Sequence, residues 1–123
     1  MPRIVAGLER RGPRPRRAPL EGKALIDHLV LFTVKEDASA EDVQDMLEGL
    51  RALRNKVPSV IDLSVGENFS ERGGPFTHGL FARFQTPDDL QAYLKHPEHR
   101  AAADKLNTFA DPNRIVVDYD HGL

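Results

Sequence analysis

Histidines in apolar surroundings are the first feature of this sequence that could do chemistry. His28 and His78 each lie in a stretch of aliphatic, β-branched and aromatic residues. An imidazole titrates near neutral pH, so it can hydrogen-bond a ligand oxygen or act as a general acid and base. The two histidines therefore predict ligand-binding roles. The alternative is that both are core residues that donate to backbone carbonyls.

A tyrosine and a histidine form the second candidate pair. Tyr93 and His99 are six residues apart, on either side of Pro97, so they meet only if the chain turns back at the proline. A tyrosine hydroxyl can orient a carbonyl or stabilise a developing enolate, and a histidine can remove the proton next to that carbonyl. The pair predicts catalysis with His99 as the base. The alternative is that the His96–His99 segment caps a helix and Tyr93 fills the core.

Other kinds of site lack the residues that they need. Because the chain has no cysteine, it has no disulfide, no thiolate ligand and no cysteine nucleophile. His96 and His99 have helical i, i+3 spacing, but Pro97 disrupts that geometry and no third metal ligand is placed by the sequence. Gly73 and Gly74 lack the strand-to-helix context of a phosphate loop. We therefore expect neither a metal ion nor a cofactor.

Apolar periodicity predicts the elements that must position these side chains. Four strands are predicted, over Leu25–Val34, Val60–Phe69, Phe76–Gln85 and Arg114–Asp120. A first helix is predicted between a capping Ser39 and Pro58. A second begins at Thr86-Pro87, is interrupted at His96-Pro97, and is followed by a third that ends at Asp111-Pro112.

The order βαββαβ is that of the ferredoxin-like split βαβ unit, an α+β fold with helices on one face of a four-stranded antiparallel sheet. The opposite face would carry Leu29 and Leu31 of the first strand and Phe81 of the third. An apolar face of this kind marks a partner site, and a second copy is the simplest partner. We therefore predict a homodimer with a dimeric α+β barrel. The alternative is a monomer with scattered apolar surface residues.

Length and charge indicate one domain preceded by an arm. The chain has 123 residues, 40% of them apolar and 29% charged, which is typical of one globular domain. Residues 1–23 hold seven basic and two acidic residues with four prolines, which predicts a disordered basic arm before a domain over residues 24–123. Nucleic-acid contact, a membrane tether and a transit peptide remain alternatives for the arm, although it has no aromatic residue, serine or threonine.

The bulk properties exclude several classes of partner. A net charge of −2 gives no general attraction to nucleic acid. The longest apolar stretches are far shorter than the ~18 residues of a membrane span. The arm has no uninterrupted apolar segment of the kind that secretion requires. We therefore expect a cytoplasmic protein without nucleic-acid or membrane partners.

A series of landmarks resembles the stress-responsive A/B barrel (Dabb) family. The Tyr-x-x-His-Pro-x-His element is the most specific, and the resemblance covers roughly residues 25–120. Its members are small dimeric α+β barrels, and they include plant stress-induced proteins, antifungal proteins and a plant polyketide cyclase. The landmarks are His28-Leu-Val-Leu-Phe32, Pro58, Leu63-Ser-Val-Gly66, Phe76-Thr-His-Gly79, Ala92-Tyr-Leu-Lys-His-Pro-Glu-His99 and Val117-Asp-Tyr119.

The resemblance to the cyclase implies a set of site residues. Its catalytic histidine and tyrosine correspond to His99 and Tyr93, and two further pocket histidines correspond to His28 and His78. This chain has Met46 and leucines on the first helix where the cyclase has aromatic residues. The implied substrate-binding lining also includes Val30, Phe32, Leu47, Leu50, Leu63, Leu80, Leu94 and Val116.

Two functions follow from this resemblance. The first is an apolar pocket that binds a small hydrophobic or aromatic oxygenated molecule and performs cofactor-free cyclase or isomerase chemistry by general acid–base catalysis. The second is a non-enzymatic stress-response dimer with a structural or ligand-binding role. The lack of aromatic residues on the first helix favours the second.

Overall fold

The computed structural model describes residues 25–122, so the arm expected over residues 1–23 lies outside the described residues. The predicted α+β, ferredoxin-like order of elements is confirmed, with the second helical segment split in two as expected. The elements are β1 (Ile26–Phe32), α1 (Ala40–Lys56), β2 (Asp62–Glu67), β3 (His78–Phe84), α2 (Pro87–Lys95), α3 (Pro97–Phe109) and β4 (Ile115–Asp120).

The four strands form one antiparallel sheet in the order β2-β3-β1-β4. The central strand β1 pairs with β3 on one side and with β4 on the other, so His28 lies between Ala82 and Asp118. Strand β2 pairs with the outer side of β3, as the sequence predicts. Since side chains alternate along a strand, this register decides which residues of different strands share a face.

The face of the sheet under the helices forms the core. Phe32 and Phe84 are fully buried there, and α1 contributes Leu50 and Leu53. Ala102 and Leu106 of α3 are also buried in this cluster. This packing holds the helices against this face of the sheet, which we call the helix-covered face. His28 lies on the same face, because it is four residues from Phe32 along β1.

The helix boundaries follow the predicted caps. The hydroxyl of Ser39 accepts a hydrogen bond from the backbone N–H of Asp42 at 3.0 Å, and the hydroxyl of Thr86 accepts one from Asp89 at 3.1 Å. Pro87 is the first residue of α2. Each hydroxyl satisfies a backbone donor that the helix itself leaves unpaired.

All four strands are shorter than predicted, and side chains form hydrogen bonds just beyond the ends of two of them. Strand β1 ends at Phe32, and the N–H of Val34 donates to the hydroxyl of Thr77. Strand β2 ends before Asn68, whose side-chain amide donates to the carbonyl of Phe76 at 2.8 Å. Phe69, placed in a strand by its sequence, instead lies 98% exposed in the loop.

The sheet face without helices is largely apolar. Leu31 is 39% exposed on this face and Val117 of β4 is 46% exposed. The register of β4 adds Ile115 and Tyr119, which are also exposed, to the leucines expected from β1. The apolar face is therefore broader than the sequence predicts, because β4 extends it alongside β1 from Ile26 to Leu31.

A buried ion pair closes one end of this face. The carboxylate of Asp27 is buried and accepts hydrogen bonds from Arg83 at 2.8 and 3.2 Å. Nδ1 of His121 lies 2.7 Å from Oδ2 of the same carboxylate. The hydrogen bonds with Arg83 lower the pKa of Asp27, so the carboxylate stays ionised despite its burial. The pair ties β1 to β3 and to the segment after β4.

Candidate functional site

A cavity of about 340 Å³ lies between the helix-covered face of the sheet and helices α2 and α3. Its volume falls at the lower end of the ~300–1,000 Å³ that small-molecule sites occupy. Most of its wall is apolar, and its polar side chains come from four different elements. The lining residues are His28, Val30, Phe32, Leu50, Leu80, Tyr93, Leu94, His99, Ala103, Leu106, Arg114, Val116 and Asp118.

The break between α2 and α3 brings Tyr93 and His99 together. His96 ends α2 and caps α3, and Pro97 is the first residue of α3. The chain turns there, so the rings of Tyr93 and His99 lie with their centroids 4.5 Å apart, at an angle of 58°. Both rings line the cavity. A phenol and an imidazole in contact within an apolar wall form a pair that can move a proton.

The cap of α3 is His96. Its Nδ1 accepts a hydrogen bond from the backbone N–H of Glu98 at 3.1 Å. His99 lies one turn further into the helix, and its Nδ1 is buried without a hydrogen-bond partner of good geometry. The capping role considered for the whole His-Pro segment therefore belongs to His96, and His99 is free of it.

A second polar pair, His28 and Asp118, faces the same cavity. Nδ1 of His28 lies 2.5 Å from Oδ1 of Asp118, directly across the β1–β4 ladder. An ionised carboxylate only accepts hydrogen bonds, so Nδ1 carries the hydrogen and Nε2 is the nitrogen left for other contacts. The ring of His28 lies edge-on to Tyr93, with centroids 6.0 Å apart. The two histidines thus flank one tyrosine.

Burial sets the protonation states of Tyr93 and His99. It lowers the pKa of His99 below the ordinary 6.5, and charge on His28 lowers it further, while a contact with the Leu94 backbone acts in the opposite direction. Burial raises the pKa of Tyr93 to about 12. At neutral pH the site therefore presents a neutral imidazole next to a protonated phenol, which are a proton acceptor and a proton donor.

Three predicted site residues lie outside this cavity. His78 is at the far end of β3, where its ring stacks on Phe32 at 5.4 Å and its Nδ1 lies 2.8 Å from the hydroxyl of Thr77. Leu47 and Leu63 are buried in the core. The family pattern placed all three and the apolar surroundings of His78 predicted it independently, and the face on which they lie is the expected one. His78 and Leu47 line a different pocket, next to α1, and Leu63 lies on the edge strand β2.

Four lining residues were absent from the predicted site. Ala103 and Leu106 of α3 belong to the helix stripe that packs on the sheet. Arg114, which precedes β4, and Asp118 share the parity of Val116, which the family resemblance placed at the site. This spacing can be read from the sequence. The register that puts Asp118 against His28 cannot.

Within residues 25–122, no group of three or more histidines or carboxylates is placed to hold a metal ion. None of the three helices in this part of the chain is long and apolar enough to cross a membrane.

Comparison with known families identifies the class of this protein. The model of the Stress responsive A/B Barrel Domain (Dabb) matches residues 26–121. The chain belongs to this family.

Individual relatives range from plant stress proteins to a plant enzyme. A stress-response A/B barrel domain-containing protein of Arabidopsis thaliana is 33% identical over 76 residues, which are 61% of this chain and 28% of that protein. This chain therefore spans just over a quarter of that relative. Olivetolic acid cyclase of Cannabis sativa is 21% identical over 96 residues, which cover 76% of this chain and 94% of the enzyme.

A solved structure shares the fold. It is a protein of unknown function from Bacteroides fragilis, described as dimeric with a ferredoxin-like fold. The two chains are 29% identical and superpose with a TM-score of 0.64, over 78% of this chain and 95% of the other.

Proposed function

We propose that this protein is a homodimer whose cavity binds a small, mostly apolar, oxygenated molecule and moves protons on it without a cofactor. The observation that carries the proposal is the contact between the rings of Tyr93 and His99 in the wall of an apolar cavity. Similarity to olivetolic acid cyclase over nearly the whole length of that enzyme supports the same kind of chemistry.

In this proposal His99 is the base and Tyr93 is the hydrogen-bond donor. The neutral imidazole of His99 removes a proton from the carbon next to a ligand carbonyl, and the electron pair of that C–H bond moves onto the carbonyl oxygen. The hydroxyl of Tyr93 donates to this oxygen as negative charge develops. In a cyclisation the resulting carbon nucleophile attacks a second carbonyl, whose oxygen takes the proton back from His99. In an isomerisation the proton returns to another carbon.

His28 has a supporting role in the same scheme. Asp118 holds Nδ1, so the ring is fixed in orientation and in tautomer. Its edge faces the ring of Tyr93. We place His28 as a second hydrogen-bonding group for the ligand, and Asp118 as the residue that positions it.

The homodimer follows from the apolar face without helices. Leu31, Ile115 and Val117 are each 39–46% exposed there. Contiguous apolar surface on a sheet is normally covered, and the related Bacteroides fragilis protein is described as dimeric. The helix-covered face, with the cavity, would then point outward in each subunit.

One observation favours binding without catalysis as a second candidate function. Helix α1 contributes only Leu50 to the described cavity lining, and no aromatic residue. Such a wall can hold an apolar molecule but does little to fold it. The Arabidopsis relative, named as a stress-response protein, is consistent with a binding role of this kind.

Proton exchange on a simple ketone tests the proposal without knowledge of the natural ligand. Acetophenone in deuterated buffer exchanges the hydrogens next to its carbonyl, and nuclear magnetic resonance follows the rate. We expect the protein to accelerate the exchange, His99→Ala to remove roughly 10²-fold or more of the acceleration, and Tyr93→Phe to remove a smaller part.

The outcomes separate the two functions. If acetophenone shifts the resonances of cavity residues but exchanges no faster than in buffer, the protein binds without catalysis. If His99→Ala retains the full acceleration and the same melting temperature as the natural chain, the assignment of the base is wrong. Lys95→Ala, an exposed change at the end of α2, is the control and should leave the exchange rate unchanged.

A further inference from the structure

The cavity has one strongly cationic side chain that the proton-transfer scheme does not use. Among its described lining residues, Arg114 is the single lysine or arginine. It immediately precedes β4, is half-buried, and makes no ion pair with a carboxylate among residues 25–122. A guanidinium in an apolar wall without a carboxylate partner leaves a charge for a ligand to neutralise.

The guanidinium of Arg114 is nevertheless held in place. Its Nη2 donates to the side-chain oxygen of Asn107 at 3.0 Å and to the carbonyl of Asp111 at 3.4 Å. Both acceptors are neutral, so they orient the group without cancelling its charge. Nε and Nη1 make no hydrogen bond within the described part of the chain. Each of these two nitrogens can still donate a charge-assisted hydrogen bond to a ligand carboxylate.

The positions along β4 separate this charge from the proton-transfer groups. The side chains of Arg114, Val116 and Asp118 all lie on the helix-covered face, and Asp118 is already in contact with His28. Since His28 also lies beside Tyr93, the reacting end of the cavity is the Asp118 end. Arg114 is four residues away along the strand, on the order of 13 Å between Cα atoms. Val116 provides an apolar surface between the two ends.

We infer that the cavity is built for a carboxylic acid, with the carboxylate on Arg114 and an apolar body that carries its carbonyl to Tyr93 and His99. This inference rests on the proposed function and narrows its ligand class to amphipathic carbonyl acids. Arg114 is the residue that selects for the charge, and it takes no part in moving the proton.

Two probes of nearly equal shape test the selection. para-Propylbenzoate carries a carboxylate, and para-propylbenzamide replaces it with a neutral amide. Isothermal titration of the full chain should give a Kd for the benzoate about tenfold lower than for the amide, a ratio typical of one charge-assisted contact. In Arg114→Met the ratio should fall to about one, with the Kd for the amide changed less than twofold.

Two further variants keep the test decisive. Arg100→Met removes an exposed arginine of α3 that lies outside the cavity lining, and it should keep the tenfold ratio. Arg114→Lys keeps the charge but loses the planar guanidinium that Asn107 and Asp111 orient, so its ratio should fall between those of the natural chain and Arg114→Met. Arg114→Lys also replaces Arg114→Met in the test if the methionine variant does not fold.

Each remaining outcome overturns a different statement. If the natural chain binds both probes equally, or if Arg114→Met keeps the preference for the benzoate, the role of Arg114 is wrong and the proposed apolar binding function stands. If neither probe binds, the inference and the binding function fail together. A loss of the ratio in Arg100→Met as well would show that only the general field of positive charge matters, which also overturns the inference.

Discussion

The contact between His28 and Asp118 gives the cavity a fixed imidazole before any ligand arrives. Nδ1 of His28 lies 2.5 Å from Oδ1 of Asp118, and the side chain of His28 is almost wholly buried while that of Asp118 is 41% exposed. A carboxylate in this position decides which ring nitrogen carries hydrogen. The pair therefore adds a second ordered histidine to the one that the family pattern places next to Tyr93.

Replacing Asp118 by asparagine tests this role. The side-chain amide of Asp118→Asn can donate to Nδ1, so the ring hydrogen of His28 should move to Nε2. We expect acetophenone exchange to slow by about tenfold, less than the roughly 10²-fold of a direct acid–base group. The fold should be retained because Asp118 is partly exposed. Nitrogen chemical shifts of the imidazole report the tautomer, and an unchanged tautomer would contradict the positioning role.

The pH profile of exchange follows from the lowered pKa of His99. The pKa of this residue lies below 6.5 because the ring is buried, so the base is neutral at pH 7 and becomes protonated only under more acidic conditions. We expect the exchange rate to be level around neutrality and to fall below pH 6.5. Loss of activity that begins at a pH above the ordinary histidine range would show that another group titrates. Tyr93 stays protonated across this range, since its pKa is about 12.

Much of the site at this scale is readable from the sequence, and one part is not. Tyr93, His99 and His28 line the cavity, and residue type, spacing and the family pattern predict all three as candidates. Asp118 was missed because its role depends on the register between β1 and β4, and a shift of one residue would turn it to the other face. His78 was expected at the cavity from its face and from the family pattern, but the position along the strand also decides which cavity a side chain reaches.

At the scale of the elements, local hydrogen bonds at the helix ends position the site. Helix α2 begins because Thr86 caps it and Pro87 is already in a helical conformation. Further along, the same helix supplies Tyr93 to the cavity. The cap and the site are therefore on the same short helix, and the stability of that helix bears on both.

Removing the cap of α2 should be measurable as a loss of stability. Thr86→Ala deletes the hydroxyl that accepts from Asp89 at 3.1 Å, and we expect the free energy of unfolding to fall by about 1 kcal/mol in urea denaturation. Thr108→Ala is a matched control, because that exposed hydroxyl only donates back to the Asp104 carbonyl. Its expected effect is within ~0.5 kcal/mol. Equal losses in both variants would contradict the capping role.

The elements themselves were predicted with the correct order and type, but their ends were not. Ser39, Thr86 and the His96-Pro97 break are short-range signals, so the sequence contains them. The end of β1 at Phe32 depends on the hydroxyl of Thr77, far along the chain, which accepts from the N–H of Val34. Contacts of that kind form only in the folded chain, so no local sequence pattern predicts them.

At the scale of the whole molecule, the proposed dimer explains why β4 is apolar on a face without helices. Leu31→Glu places a charge on a central strand of that face, where burial without a partner costs several kcal/mol. We expect the natural chain to sediment as a dimer at micromolar concentration and Leu31→Glu as a monomer. Sedimentation velocity measures both.

A second charge substitution controls for general effects of surface charge. Ile61 is 46% exposed but precedes β2 on the side of the helix-covered face, since Leu63 of the same parity is buried there. Ile61→Glu should therefore remain dimeric. A natural chain that sediments as a monomer, or a Leu31→Glu chain that stays dimeric, would contradict the proposed interface.

The cap of α3 has a further consequence for the geometry of the site. His96 ends α2, and its Nδ1 accepts a hydrogen bond from the backbone N–H of Glu98 at the start of α3, so one residue joins the helices that carry Tyr93 and His99. Asparagine also caps helices whereas alanine does not, so His96→Ala should lower the free energy of unfolding by about 0.5–2 kcal/mol in urea denaturation, and His96→Asn by less. Equal losses in both variants would contradict the capping role. A substitution at His96, which is outside the cavity lining, would then alter the contact between two rings that belong to different helices.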